Sequence, residues 1–389
     1  KFSEVLFQKE GNDFLLYGYN DNDFIRLKNF FSSSTYEIEI FEFADRTLTL
    51  AQLRTIGLSF QGTDGNDDIN LNAWQGKANV YAGDGDDTIS AGNIASGSLL
   101  DGGSGNDKLY GSNNGTTFIG GTGNDYLQGG SGADVYEFAK GHGQDRVSDY
   151  GNSSNADTIR FKDVNFSEVL FQKDNNDFLL YGYNDNDFIR LKNFFNGSYY
   201  EIETFEFADR TLTLAQLRTI GLSFQGTEGN DNIDLNAWKG KANVYAGDGD
   251  DTVYAQSLTS GSLLDGGAGN DKLYGSNNGT TFIGGAGNDY LQGGKGADVY
   301  EFAKGHGQDK VSDYGNPSNA DTIKLTDVLF DEIFLERVGN DLTVLNGQTG
   351  DKLTVQNSFS STYYQIETWQ FADKTLELQQ LLANAHWVA

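Results

Sequence analysis

The stretch GGSGNDKLY, residues 102–110, decides the fold. GSNNGTTFI, GGTGNDYLQ and GGSGADVYE follow it, so a glycine returns every nine residues, at Gly102, Gly111, Gly120 and Gly129. An aspartate stands five places after three of them, at Asp107, Asp125 and Asp134. Each unit reads G-G-x-G-x-D-x-U-x, with U large and apolar, and holds two structures. GGxGxD is a tight loop in which glycine supplies positive φ and lets backbones approach. The xUx triplet is a three-residue strand with U on one face. So short a strand cannot stand alone. Two units therefore make one turn, ~18 residues long, of a right-handed parallel β-roll, and alternate units stack on the same side. This arrangement collects Ile69, Ile89, Leu109, Leu127 and Tyr136 in one narrow core. The repeats beginning at Gly62, Ala82, Gly102 and Gly120 form one column, and those beginning at Gly111 and Gly129 the opposite one. The first three starts lie 20 apart, so an eleven-residue insert fills part of each interval.

Stacking also brings the aspartate of each loop close to the loop above it. Without a cation these like charges repel, at a cost that grows as water leaves. A hard cation with six or more oxygen ligands resolves the repulsion, through two carboxylates and carbonyls of the glycine loops. Calcium suits such a flexible all-oxygen site. Magnesium prefers strict geometry and retained waters, and zinc wants the His or Cys that these loops lack. Register and glycine context favour ligation over the plainer reading, a solvated acidic surface.

Composition agrees. The 389 residues hold 56 Asp and Glu against 27 Lys and Arg, which makes nucleic acid and anionic membranes poor partners and divalent cations good ones. With 20 Tyr and 27 Phe alternating with polar residues, the chain can fill a core and is not disordered. There is no Cys, which excludes disulfides, thiolate metal sites and thiol catalysis. Fifty Gly with one Pro do not fit collagen. No apolar run is long enough to span a membrane, and no cleavable leader is visible. With no Met, even at residue 1, the sequence reads as an excerpt of a longer chain.

A second period, of 164 residues, overlies the first. FSEVLFQ at Phe2 returns at Phe166, and only four of the 57 positions in 96–152 differ from those in 260–316. A diverged third copy begins near Val328, where WQFADKTL at Trp369 matches FEFADRTL at Phe205. The expected organisation is a β module at 1–59, a roll block at 60–163, a second β module at 164–223, a second roll block at 224–327 and a third, diverged β module at 328–389. The β modules read as short antiparallel strands such as FLLYGY and DFIRLKNFF, broken by NDND turns at 20–23 and 184–187. In TLTLAQLRTIG, Leu48, Leu50, Leu53 and Ile56 suit a short helix, with Gly57 as its stop. Trp74 and Trp238 read as core residues. The fold class is thus all-β, with parallel β-roll blocks alternating with small antiparallel modules in an elongated, solenoid-like array.

The units GGSGNDKLY, GGTGNDYLQ and GGAGNDYLQ resemble the haemolysin-type calcium-binding repeats of the RTX family. FAKGHGQDRVSDYGNSSNADTIRF resembles the segment that closes such a block, and FEFADRTLTLAQL the haemolysin-type calcium-binding related domain. The resemblance implies a β-roll that binds several calcium ions per block, export by type I secretion machinery, and folding on reaching extracellular calcium. Carried over by motif position, the carboxylate ligands would be Asp67, Asp87, Asp107, Asp125 and Asp134, and in the second block Asp231, Asp251, Asp271, Asp289 and Asp298. Main-chain oxygens would come from Gly85, Gly105, Gly123 and Gly132, and from Gly249, Gly269, Gly287 and Gly296. Asp145 and Asp309, in GHGQD, are further candidates as closing ligands. Thr63 and Thr227 depart from the pattern by replacing the second glycine, and the Gly111 and Gly275 repeats lack the aspartate.

His142 and His306 have no Ser, Cys or second His at a fixed spacing, so they read as loop or packing residues. There is no G-x-S-x-G, no HExxH and no nucleophile–base set. The expectation is therefore a non-catalytic calcium-binding region of a secreted protein, serving as a structural, surface or adhesive module. Its partners beyond calcium would be further copies of itself or a surface polysaccharide. The alternative is the calcium-binding C-terminal region of a secreted lipase, protease or polysaccharide epimerase.

Overall fold

The computed structural model describes residues 1–18, 22–151, 155–315 and 318–388, so Asn20 and Asp21 of the first NDND turn lie outside them. Among these residues α-helix is confined to three seven-residue pieces, Leu50–Ile56, Leu214–Ile220 and Leu378–Asn384. The rest of the regular structure is almost entirely strand. The protein is all-β, and its organising element is a parallel β-roll. By contacts the chain divides into two compact units, Lys1–Leu170 with Asn176–Leu214, and Phe171–Asn175 with Ala215–Ala389.

In the first unit the roll has two sheets. One stacks Leu58–Gln61, Ala78–Asp84, Ser98–Ser104, Thr116–Thr122, Val135–Phe138 and Thr158–Phe161, every neighbour parallel. The other stacks Asp68–Asn70, Thr88–Ser90, Lys108–Tyr110, Tyr126–Gln128 and Gln144–Ser148. Leu109 pairs with Ile89 and Leu127, and Leu100 with Val80 and Phe118, so like residues stack between the sheets. Ile69, Ile89, Leu109, Leu127 and Tyr136 are buried as expected. Each such side chain contributes about 1.5–3 kcal/mol by leaving water.

The second sheet has the three-residue strands that the repeat predicts, up to the five-residue closing strand Gln144–Ser148. The first does not: its strands reach seven residues and run into the glycines, as SLLDGGS does. Gly103 and Gly121 sit at φ +97° and +102°, and a Cβ on Gly121 would meet the Gly103 carbonyl at 1.8 Å. Only a residue without a side chain lets consecutive coils approach this closely. The eleven-residue inserts are not excursions. They form the turn and strand that complete each 20-residue coil, and they bury Trp74, whose Nε1 donates to the Lys77 carbonyl at 3.1 Å. The second unit repeats this roll, with strands Ala242–Asp248, Ser262–Ala268 and Thr280–Ala286 facing Thr252–Tyr254, Lys272–Tyr274 and Tyr290–Gln292.

The antiparallel segments continue the sheets. After the first roll, Gln144–Ser148 pairs in parallel with Phe188–Leu191, and Thr158–Phe161 with Thr204–Glu206. After the second, Gln308–Ser312 pairs with Lys352–Val355, and Thr322–Leu325 with Thr368–Gln370. The module at the start of the chain packs on the roll that follows it, through Phe7 opposite Phe60. Its helix carries a capping box between Thr49 and Gln52, buries Leu50 and Leu53, and stops at Gly57 with φ +89°. Ile56 stays exposed. No helix among the described residues is long and apolar enough to cross a membrane.

Candidate metal centre

The loops that join the first sheet to the second form one column, and their aspartates make a ladder. Asp87 Oδ1 accepts the Asp67 N–H at 2.7 Å, Asp107 Oδ1 that of Asp87 at 2.8 Å, Asp125 Oδ1 that of Asp107 at 2.8 Å, and Asp145 Oδ1 that of Asp125 at 2.8 Å. In the second unit Asp251, Asp271, Asp289 and Asp309 repeat the ladder below Asp231. One oxygen of each rung is therefore spent on the backbone. The other, Oδ2, is buried without a hydrogen-bond partner in Asp87, Asp107, Asp125, Asp251, Asp271 and Asp289. A buried carboxylate oxygen in that condition is costly unless a proton or a cation meets it.

Glycine carbonyls line the same column. A Cβ on Gly105 would lie 2.0 Å from the Gly85 carbonyl, on Gly123 1.9 Å from that of Gly105, and on Gly143 2.0 Å from that of Gly123. The carbonyls of Gly249, Gly269 and Gly287 stack likewise. Burial pushes the Asp107 carboxyl up to about 6, against the lowering effect of the Asp87 N–H, while the Asp87 charge raises it further. Asp125, deeper in the roll and flanked by Asp145 and Asp107, rises to about 8. Asp271 and Asp289 rise to about 6 and about 7 for the same reasons. Bare carboxylates are thus disfavoured here. Buried, negatively charged, all-oxygen sites of this kind fit a hard divalent cation such as calcium.

The ends of the ladder differ from its middle. Asp67 and Asp231 are less buried, and Thr63 and Thr227 give each Oδ2 both an N–H and a hydroxyl. At the other end, Asp145 Oδ2 holds His142 Nδ1 at 2.6 Å, and His142 Nε2 reaches Tyr183 Oη at 2.9 Å. His306 pairs with Asp309 in the same way at 2.5 Å. Both histidines are buried packing residues, each tied to the last rung.

The opposite column contains a second centre, whose other members are Asp149 and Asp157, beyond the nonapeptides. Asp134, Asp149 and Asp157 each bring a carboxylate oxygen within 4.8 Å of the others, and all three are buried. Asp134 accepts the N–H groups of Thr116 and Gly130, and Asp149 accepts the Tyr136 hydroxyl at 2.6 Å. Asp157 Oδ1 takes the Asp134 N–H, and its Oδ2 is unpartnered. Asp298, Asp313 and Asp321 repeat the group, with Oδ2 of both Asp313 and Asp321 unpartnered. Burial raises every one of these carboxyls, and Asp134 and Asp298 reach about 7. Gly132 and Gly296 belong to this column, where each packs on a backbone N–H, of Gly115 and of Gly279. Thr116 occupies the aspartate position of the Gly111 repeat, and its hydroxyl oxygen accepts the Ser112 N–H at 3.2 Å. The sequence signal for Asp149 and Asp157 was their return 164 residues later in VSDYGN and ADTI, outside any nine-residue register.

A parallel roll with aspartate-lined glycine loops defines a calcium-binding repeat protein. Two family models match the chain. The RTX calcium-binding nonapeptide repeat (4 copies) matches residues 78–93, 99–114, 110–144, 243–257, 263–278 and 274–308. The haemolysin-type calcium binding protein related domain matches 19–49, 183–213 and 341–375. The chain is therefore an RTX-repeat chain, its nonapeptide blocks alternating with haemolysin-type related domains, and the roll is a structural calcium-binding domain. No curated protein matches it. Eleven chains of solved structure do. One is the extracellular lipase LipA from Serratia marcescens, 17% identical, with a TM-score of 0.25 over 79% of the present chain. The present chain spans 39% of that chain's length.

Proposed function

We propose that this chain is a calcium-folded structural region of a secreted protein, serving at the cell surface or in adhesion, with any catalysis of a parent protein lying outside it. The observation that carries this reading is the buried aspartate ladder with one unpartnered oxygen on each middle rung. Each proposed ion draws on the Oδ2 of Asp87, Asp107 or Asp125 and on the Gly85, Gly105 and Gly123 carbonyls, or on their counterparts 164 residues on. Asp134, Asp149 and Asp157 hold a further ion at the close of the first roll, and Asp298, Asp313 and Asp321 at the close of the second. Asp145 and Asp309 end the ladder as acceptors, because His142 and His306 engage their second oxygens.

The chemistry suits export. At low cytosolic calcium the like charges keep the rolls open and the chain compatible with type I secretion. Outside, at a Kd of ~10⁻⁴–10⁻³ M, calcium condenses them. Binding free energy is then folding free energy. The five-module series, built by duplication, gains length without gaining chemistry, which favours a spacer or lattice over an active site.

Sedimentation velocity through a calcium titration, starting in chelator and with magnesium as control, tests this. Compaction at millimolar calcium but not magnesium is the expected result, and assembly after compaction would point to a surface lattice. An unchanged sedimentation coefficient at millimolar calcium would overturn the reading.

A further inference from the structure

The module at the start of the chain carries an uncovered face that is covered in its later copies. FIRLKNFF occurs identically at 24–31 and 188–195. In the second copy Ile189 is 0% exposed and Ile202 1%, where the exit strands of the first roll, Gln144–Ser148 and Thr158–Phe161, pair with Phe188–Leu191 and Thr204–Glu206. In the first copy the same residues, Ile25 and Ile38, are 50% and 41% exposed. Ile40, where the second copy has Thr204, is also exposed. Strands Ile25–Leu27 and Ile40–Glu42 each pair on one side, with Asp13–Tyr17 and Thr47–Thr49, and no other strand among the described residues pairs with their far edges. Ile25, Ile38, Ile40 and Phe41 help line a groove of about 580 Å³. Two adjoining open edges beside exposed isoleucines make a surface built for strand addition.

The polar groups fit the same occupant. Glu203 accepts the Asp157 N–H at 2.8 Å, and Glu206 binds the Arg160 guanidinium. Glu39 and Glu42 stand at the matching positions of the first copy. The third copy repeats the arrangement: Glu367 accepts the Asp321 N–H at 2.9 Å, and Leu353 and Ile366 are buried against exit strands of the second roll.

We propose that this face seats the two exit strands of a further RTX roll, joined in cis ahead of Lys1. That roll would add one strand to Ile25–Leu27 and one to Ile40–Glu42. A second copy of the chain does not serve as the occupant, because both of its rolls already have their exit strands paired.

The test fuses a duplicate of residues 60–164 ahead of Lys1 of the full chain and follows hydrogen exchange in calcium and in chelator. In calcium, the amides of Ile25–Leu27 and Ile40–Glu42 should exchange on the order of 100-fold more slowly in the fusion than in the parent chain, matching Phe188–Leu191 and Thr204–Glu206. Ile25→Asp with Ile38→Asp should abolish that gain in the fusion while leaving exchange in the parent's rolls within about 2-fold. Unchanged exchange at the two strands overturns the proposal, whether or not the added roll becomes protected. Concentration-dependent protection of these strands in the unfused chain also overturns it, in favour of a second copy. If calcium protects no roll amide in either protein, the calcium reading itself fails, which separates that failure from this one.

Discussion

The two loop columns of one roll share a backbone and differ in what they ask of a ligand. In the ladder column an aspartate recurs at every coil, and each middle rung gives one oxygen to a backbone N–H and leaves the other buried and unpartnered. In the opposite column Thr116 takes the same place, and its hydroxyl answers the Ser112 N–H within its own loop. The glycine turn is therefore self-sufficient. The side chain five places on decides whether a loop meets its own N–H or leaves a buried carboxylate oxygen unpartnered. The first column therefore carries unpartnered carboxylate oxygens along its middle, while the second concentrates its charge where Asp134 meets Asp149 and Asp157.

The sharpest way to break this contrast is to remove a middle rung from both rolls. Asp107→Ala with Asp271→Ala deletes two proposed ligands and leaves the Asp87 and Asp251 N–H groups without acceptors. Calorimetry should show fewer ions bound per chain and a folding midpoint at roughly 10-fold higher calcium. An unchanged stoichiometry would strike these residues from the ligand set.

Acidity offers a gentler probe. The folded-state carboxyls of Asp107 and Asp125 stand at about 6 and about 8, above the ~3.9 of an unfolded chain. Between these values the calcium-free fold holds more protons than the unfolded chain, so its stability falls as pH rises from about 4 to about 8. In chelator the chain should be more compact at pH 5 than at pH 8 by small-angle scattering. Calcium must displace those protons, so its folding midpoint should be on the order of 10-fold lower at pH 8 than at pH 6. A midpoint independent of pH would mean that the ladder aspartates are not the ligands.

The smallest effect belongs to the other column. Thr116→Val removes the hydroxyl that serves the Ser112 N–H and should cost about 1 kcal/mol in calcium-saturated thermal unfolding, with no loss of bound calcium. A loss of calcium would show that the two columns are not chemically distinct.

Much of this was legible in the sequence, because the nine-residue period is local. Glycine spacing, the inward Leu109 and Leu127, and the aspartate of each loop follow from geometry that repeats within one coil. Asp149 and Asp157 were not legible as site residues. They lie outside the register, and only the turn of the roll carries them back to Asp134. Nor did the spacing of His142 and Asp145 show that the imidazole would occupy the second oxygen of the last rung.

The sequence by itself determined the coil: which residues turn, which point inward and where the negative charge accumulates, since each depends on neighbours within about twenty positions. The tertiary structure alone decided burial at the seams. Ile25 and Ile189 sit in identical octapeptides, yet one is half exposed and the other fully covered. The difference is the pair of strands that the preceding roll lays across the second copy, and no local pattern encodes a neighbour that arrives from another part of the chain.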